Sequence, residues 1–138
     1  MAGTLTLKGL DATVTGLQAA QEKIVQATAA ALYQEGLAIM AISQQEVPVD
    51  TGTLRSSGQV QQPEIQTGAV MVTLGYGYGE KINPKTGESA QGYSIPVHER
   101  LGVHHPHGKA KYLEDPARAA EAGFEARVGE KVAAEVVR

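Results

Sequence analysis

The long proline-free stretch of residues 11–46 constrains the fold of this chain most. Small apolar residues recur along it at helical spacing: Leu17, Ala20, Ile24, Ala27 and Ala31, then Leu32, Ile39 and Met40 on a slightly rotated stripe. This pattern predicts one long helix. We expect a bend near Gly36, because glycine costs about 1 kcal/mol relative to alanine inside a helix. Pro48 ends the helix, since the residue before a proline is pushed out of the helical region.

The composition indicates one domain with a core of small side chains. The chain has 138 residues, the usual size of a single domain, and we treat residues 1–138 as one. Trp is absent and Phe124 is the only phenylalanine. Such a core favours close helix packing or a partner that supplies further apolar area. Cysteine is also absent, which excludes disulfides, thiolate zinc sites and a cysteine nucleophile.

The charge pattern argues against a tight nucleic-acid site. The formal net charge is −3, and Lys and Arg are spread along the chain. Clamping the phosphate backbone requires concentrated cations, so we expect no specific nucleic-acid binding. We find no apolar run that fits a signal peptide or approaches the roughly 20 residues of a membrane span. We therefore expect a protein that is made in the cytoplasm and does not enter a membrane.

Short strands are expected on either side of the long helix. Residues 4–10 alternate polar and apolar side chains and predict a short strand. Residues 54–62 and 69–76 predict two strands that pair as a hairpin. Residues 77–92 are rich in Gly, Asn, Pro, Lys and Ser, which predicts a long, exposed and mobile loop. Residues 93–99, YSIPVHE, predict a further strand, at a sheet edge or a bulge because of its proline.

A second helix is predicted to begin at Asp115 and Pro116, residues suited to the N-cap and the first helical position. Its apolar stripe comprises Leu113, Ala117, Ala120, Phe124, Val128, Val132 and Val136. The polar side chains left for solvent or partner contacts are Arg118, Glu121, Glu125, Arg127, Glu130 and Lys131. The predicted fold class is α+β: a long N-terminal helix and a C-terminal helix packed on a small antiparallel β-sheet with a long exposed loop.

Asp50-Thr51-Gly52 is the tripeptide of the catalytic loop of aspartic proteases. Such enzymes need two carboxylates that share a proton, so a single tripeptide requires a dimer that uses Asp50 from each copy. That class is nearly all β, whereas here the tripeptide follows a long helix. Asp, Thr and Gly also form turns by local hydrogen bonds and a positive φ. We favour a structural turn at Asp50, Thr51 and Gly52, with the dimeric protease as the alternative from another class.

A histidine group suggests a metal site as a further alternative. His98, His104, His105 and His107 lie close in the sequence, with Glu99 beside the first. The spacing of His105 and His107 can bring two imidazoles to one zinc ion when the loop is extended. The segment has no helical histidine register and no evident general base. Loop histidines of this kind are more often surface or interface residues, so we expect no metal and no cofactor.

Three segments together resemble one family. A long helix ending in VPVDTGTLRSSG, then YSIPVHE, then GKAKYLEDPARAA before the last helix, resemble the small minor capsid or tail-component proteins of long-tailed bacteriophages. These are neck proteins, located where the head joins the tail. The resemblance covers residues 19–137 approximately. Residues 77–92 and the HHPHG stretch have no counterpart in the family pattern.

The resemblance implies an α+β subunit that assembles as a ring in the head–tail connector of the virion, without catalysis. A tail terminator or minor tail protein is the alternative within the same machine. The implied partners are other copies of the chain, portal-associated adaptor or stopper proteins, and tail-terminator or tail-tube proteins. DNA would pass through the ring without specific binding, which the net negative charge suits. The candidate contact residues are Arg55, Tyr76, Tyr78, His98, Glu99, Tyr112 and Leu113.

Overall fold

The protein was analysed as a computed structural model that describes residues 3–6, 8–49, 52–79, 81–102 and 108–138. Its helices are α1 (Leu10–Glu46), α2 (Thr53–Ser56), α3 (Ala90–Glu99), α4 (Glu114–Glu121) and α5 (Phe124–Val136). Its strands are β1 (Gln59–Val60), β2 (Glu64–Gln66), β3 (Ala69–Met71) and β4 (Leu74–Gly75). The fold is mixed α+β, with a long N-terminal helix, a C-terminal helix and small antiparallel strand pairs, as predicted.

Helix α1 is the element on which the four strands, α4 and α5 pack, and it confirms the long helix of the sequence analysis. It ends at Val47, whose N–H donates to the Ser43 carbonyl at 2.8 Å, immediately before Pro48. Gly36 has a packing role: a Cβ there would lie 3.0 Å from Val60 Cγ1 and 3.3 Å from Val72 Cγ1. The missing side chain therefore lets the strands approach the helix closely.

The predicted hairpin forms, with an irregular middle. β1 pairs with β4 and β2 pairs with β3, both antiparallel, around a turn that contains Gly68 at a φ of 77°. Because Val60 faces Leu74 while Glu64 faces Met71, three residues, 61–63, lie opposite residues 72 and 73. This extra residue is a bulge. Pro63 lies within it, where its missing N–H leaves no gap in the ladder.

Three predicted strands are wrong in part or in full. Residues 3–6 and 8 have no regular secondary structure, so the described part of 4–10 is not a strand. The start of 54–62 belongs to helix α2, and only Gln59–Val60 is a strand there. Residues 93–99 lie in helix α3, which contains Pro96. The Ser89 side chain is the N-cap of α3, because its hydroxyl accepts a hydrogen bond from the Gly92 N–H at 3.1 Å. The prediction of a strand did not take this N-cap into account.

The predicted C-terminal helix is interrupted. It begins at Glu114, one residue before the predicted start, and breaks after Glu121, because Gly123 adopts a φ of 72°. α5 then runs antiparallel to α1 and ends beside Lys23, whose ammonium donates to the carbonyls of Val136 and Arg138. Residues N-terminal to Lys23 therefore extend beyond the end of α5, and every residue from 10 to 24 is exposed.

A buried ion triplet joins α1 to α5. Glu35 is only 5% exposed and accepts hydrogen bonds from Arg127 Nε at 3.1 Å and from Lys131 Nζ at 2.8 Å. The same Arg127 guanidinium donates to the carbonyls of Ala120 and Ala122, both at 2.6 Å, where α4 ends. Arg127 and Lys131, which the sequence assigns to solvent or partner contacts, are 40% and 38% exposed, but their charged ends pair with Glu35. Their charges neutralise the one buried carboxylate of α1.

The ion triplet makes the contribution of Glu35 to the unfolding free energy decrease as pH falls below 4.5. Hydrogen bonds from Arg127, then from Lys131, lower the pKa of Glu35 below its ordinary value of 4.5. A carboxyl with a lowered pKa in the folded state stabilises the fold above pH 4.5, and the contribution is lost as pH falls further. We expect Glu35→Gln to lower Tm at pH 7, with the difference from the unmutated chain shrinking below pH 4.5. A Tm difference that stays constant from pH 7 to pH 3 would contradict this role.

Tyr112 lies in a core cluster that joins the C-cap of α1 and helix α2 to α3 and the turn before α4. Three buried side chains form this cluster: Val47, Leu54 and Tyr112. Tyr76, Val97 and Leu113 pack around them.

Among the residues described, no helix is long and apolar enough to cross a membrane.

Candidate interaction site

Most of the candidate contact residues meet in one place. Tyr76, His98, Glu99, Tyr112 and Leu113 line a shallow cleft of about 210 Å³, together with Ser94 and Ile95. Tyr76 follows β4, His98 and Glu99 end α3, and the other two precede α4. The turn and the strand end therefore gather around the last helical turn of α3, although these residues are far apart in sequence.

Tyr112 forms the floor of the cleft. Its ring is only 1% exposed and meets Tyr76 and His98 edge to face, with centroids 5.0 and 4.9 Å apart. Its hydroxyl donates to the Ser94 carbonyl at 2.8 Å. Edge-to-face pairs align the positive ring edge with the negative face of the neighbouring ring. Tyr112 is therefore a core residue, which corrects its predicted place on a partner surface.

His98 is held in one orientation by bonds at both ring nitrogens. Its Nε2 accepts from the Glu114 N–H at 3.2 Å, so the proton of the neutral ring lies on Nδ1. Nδ1 then donates to Glu99 Oε1 at 2.6 Å. Both ring nitrogens are therefore engaged within the chain.

Lys111 completes a charged cluster with His98, Glu99 and Glu114. The Lys111 ammonium lies 2.6 Å from Glu99 Oε2 and 2.8 Å from Glu114 Oε2. The backbone N–H of Lys111 donates to the His98 carbonyl at 2.8 Å. The carboxylates of Glu114 and Glu99 raise the pKa of Lys111, and Lys111 in turn lowers the pKa of both carboxyls. Lys111 has a φ of 57°, a left-handed conformation that is uncommon outside glycine. These bonds hold the turn before α4 against the end of α3.

The ligand-type atoms of His98, Glu99 and Glu114 lie within 4.8 Å of one another, which is the nearest approach to a metal site among the described residues. The Lys111 ammonium lies between the two carboxylates, and both His98 nitrogens are bonded. A metal ion would have to displace Lys111 and break these bonds. His104, His105 and His107 lie outside the described residues.

The Tyr76 hydroxyl connects the cleft to α1. It is 2.8 Å from the hydroxyl of the fully buried Ser43, and burial raises the pKa of Tyr76. We expect Tyr76→Phe to cost about 1–2 kcal/mol of unfolding free energy, because it leaves a buried hydroxyl without this partner. The double variant Tyr76→Phe with Ser43→Ala should be more stable than the two single effects predict, as urea denaturation would measure. Strictly additive effects would show that the two hydroxyls are not coupled.

The other predicted contact residues lie apart from the cleft. Gly52 has a φ of 79°, the positive value expected of the turn, and directly precedes α2. Asp50 and Thr51 lie outside the described residues. Arg55 is an exposed residue of α2 whose carbonyl accepts from Gln44 Nε2 at 3.2 Å. Tyr78 is half-buried against Gly75, and its N–H donates to the Ser57 carbonyl.

The predicted loop of residues 77–92 contains more order than its composition indicates. Ile82 and Ser89 form an antiparallel bridge, and the Ala90 N–H donates to the Lys81 carbonyl at 2.8 Å. Between them the buried Asn83 accepts from the Lys85 N–H through its side chain and from the Gly87 N–H through its carbonyl. Its last residues form the start of α3. The outer residues 84–88 are exposed, as expected.

The seven contact residues predicted from the sequence do not include Lys111 and Glu114, which hold the turn before α4 against α3. Both lie in the segment KYLEDP, where acidic residues at a helix start follow a lysine at short range, and this spacing is the signal that could have identified them.

Comparison of the chain with models of protein families, with curated proteins and with solved structures finds no match.

Proposed function

We propose that this chain is a structural subunit that assembles with further copies of itself, as part of the ring at the neck of a long-tailed phage. The observation that carries the proposal is the N-terminal part of α1. It extends beyond the packed helices with Leu10 61%, Val14 44% and Leu17 65% exposed. Residues 12–21 of this part contain no charge. A bare, uncharged helix with large apolar side chains is suited to packing against protein.

The cleft supports the same proposal. An aromatic floor, the exposed apolar Ile95 at 71% and the carboxylate of Glu99 combine the components that protein interfaces use. The charged groups of the cluster are engaged in ion pairs with one another. Such a network suits a rigid contact surface. The neck as the site of assembly, and the adaptor, stopper, tail-terminator and tail-tube proteins as partners, follow from the resemblance of VPVDTGTLRSSG, YSIPVHE and GKAKYLEDPARAA.

Sedimentation of the purified chain tests the proposal. We expect the chain alone, or mixed with the stopper and terminator proteins of the same phage, to form a discrete oligomer, with rings in negative-stain micrographs. A chain that stays monomeric in every mixture up to high concentration would overturn the proposal. The dimeric protease alternative also predicts a discrete oligomer, so activity separates the two: a protease would cleave a peptide library and lose this cleavage in Asp50→Asn with its fold intact, whereas a neck subunit would cleave nothing.

A further inference from the structure

One edge of the β-hairpin has a regular row of unpaired backbone groups. The Gln61 N–H donates to the Thr73 carbonyl at 2.7 Å, so this carbonyl points into the hairpin. Because these directions alternate along an antiparallel strand, the N–H and C=O groups of Val70, Val72 and Leu74 point outwards. Within the described part of the chain, no strand pairs with these three residues from outside the hairpin. We call residues 70–74 the open edge.

The opposite edge of the hairpin is protected against strand addition. It carries the bulge at residues 61–63, and Pro63 there has no N–H to donate. Glu64 adds a charge to the same edge, whereas residues 69–76 contain neither a proline nor a charged residue. Bulges, prolines and charges are the devices by which edge strands avoid pairing with a further strand. Of the two edges, the open edge is therefore the one suited to receive a strand.

A segment with the pattern of a strand lies unpaired before α1. Residues 4–8, TLTLK, alternate polar and apolar side chains, and we call them the N-terminal segment. Its described residues are exposed and have no regular secondary structure in the single chain. Leu5 is 86% exposed. The sequence thus favours a strand for which the single chain supplies no neighbour.

The N-terminal segment cannot reach the open edge of its own copy. Gly36 of the continuous helix α1 lies against the hairpin, where a Cβ would be 3.3 Å from Val72 Cγ1. Leu10 and Gly36 are 26 positions apart, about 39 Å at 1.5 Å per residue. Residues 4–9 span at most about 22 Å when fully extended. Pairing of the segment with Val72 must therefore join two copies.

The open edge and the N-terminal segment alternate in the same way. On the open edge the even-numbered side chains face α1, since Val72 lies against Gly36. The odd-numbered Met71 and Thr73 are exposed on the outer face. When Leu5 of an added strand faces α1, the threonines of the segment lie on this outer face. Apolar side chains then have apolar neighbours on one face, and the threonines join the exposed face.

We infer that the N-terminal segment of one copy adds as a strand to the open edge of the next copy. Main-chain hydrogen bonds hold such an added strand, and its alternate side chains fix the register. This inference rests on the proposed self-assembly and names a contact that produces it. The contact is head-to-tail, because the two surfaces differ, and such contacts close into rings or continue as filaments.

Disulfide cross-linking tests the contact, and the absence of native cysteine makes it specific. Thr6→Cys and Thr73→Cys, both at exposed positions, are purified separately, mixed and oxidised. We expect a linked dimer, because facing side chains of adjacent strands have Cβ atoms about 5 Å apart. Met71→Cys replaces Thr73→Cys in a second mixture to cover the neighbouring register. Gln62→Cys is the matched control, since it is exposed on the protected edge, and it should not link to Thr6→Cys.

Sedimentation supplies a second readout. Leu5→Pro should weaken self-association roughly tenfold or more, because proline interrupts strand pairing and the variant loses a leucine that the contact buries. Leu5→Val is the matched control: it keeps an apolar residue that strands favour and should associate as the unmutated chain does. Tm of the single chain should stay the same in both variants, since Leu5 is exposed there.

Hydrogen exchange locates the contact on the hairpin. The outward N–H groups of Val70 and Val72 should exchange rapidly in the single chain and become protected in the assembly. The N–H of Gln61, which bonds to the Thr73 carbonyl within the hairpin, should be protected in both states. Rapid exchange at Val70 and Val72 in the assembly would contradict strand addition.

The outcomes separate this inference from the proposed function. Disulfide dimers of Thr73→Cys alone would show that the open edge pairs with its own counterpart, which overturns the inference. So would an unmutated chain that assembles in the neck mixtures without the Thr6→Cys cross-link and without a loss in Leu5→Pro. In that case the proposed function stands. Failure to assemble in any mixture would overturn both.

Discussion

Replacing Arg127 with alanine is expected to lower the unfolding free energy by about 3 kcal/mol and Tm by roughly 10 °C. Arg127 donates to the buried carboxylate of Glu35 and to the carbonyls of Ala120 and Ala122. The substitution removes one of the two cations from a carboxylate that water barely reaches. It also leaves the end of α4 without its two side-chain donors. Lys131 stays beside Glu35, so the loss is smaller than for a fully unpaired charge.

Two variants distinguish this role from a simple loss of charge. Arg127→Lys keeps the charge, but a single ammonium cannot reach the carboxylate and both carbonyls in the planar geometry of a guanidinium, so we expect little rescue. Arg118→Ala removes an exposed arginine that pairs only with Glu114 among the contacts found, and it should cost well under 1 kcal/mol. Thermal denaturation measures all three. An Arg127→Ala variant as stable as Arg118→Ala would contradict the account of the α1–α5 contact.

Gly108→Ala is expected to destabilise the fold by about 2–4 kcal/mol. Gly108 has a φ of 78°, and a Cβ there would lie 2.6 Å from both the Pro48 nitrogen and the Val47 carbonyl carbon, and still closer to the Glu46 carbonyl oxygen. The next residue, Lys109, donates its N–H to the Glu46 carbonyl at 2.8 Å, so the two segments are joined at the end of α1. An added methyl group would have to push the chain before Tyr112 away from α1.

Gly79→Ala is the matched control for this clash. Gly79 has a similar φ of 74°, but nothing lies within 4 Å of the added Cβ. Its substitution should therefore show the conformational cost alone, about 1 kcal/mol. Urea denaturation compares the two variants. Equal losses would mean that the close approach of Gly108 to α1 does not contribute.

The parts of the fold that were predicted from sequence are those that local patterns determine. The helical spacing of apolar residues and the stop at Pro48 give α1, and the alternation in 69–76 gives the second half of the hairpin. The bulge opposite residues 72 and 73 was not predictable from that alternation. It depends on how the two strand segments pair across the hairpin.

The strand-like pattern of YSIPVHE predicts a strand, whereas the spacing of buried residues from residue 90 onward is that of helix α3. Ala90, Ser94 and Val97 follow at helical intervals and are buried or half-buried, and Ser89 is a good N-cap. A C-terminal helix that continues through residues 122 and 123 predicts Arg127 on its solvent face, whereas the helix is interrupted there. The positive φ of Gly123 restarts the helix, and the guanidinium then reaches Glu35, a residue 92 positions away. Only the packing of α5 on α1 reveals this contact.

The candidate site was predictable in part. Tyr76, His98, Glu99 and Leu113 were chosen from separate segments, and the fold gathers them around one cleft. Their contact through Tyr112 depends on the way the chain turns at Lys111. That turn has no local sequence signature, since a left-handed lysine is held by bonds to residues of two other elements.

Electron cryomicroscopy of phage particles assembled with this chain and its proposed neck partners tests the proposed function most directly. The proposal predicts a ring of copies at the junction of head and tail, with the exposed N-terminal part of α1 covered by another protein. Particles that contain the chain elsewhere, or lack it altogether, would contradict the account.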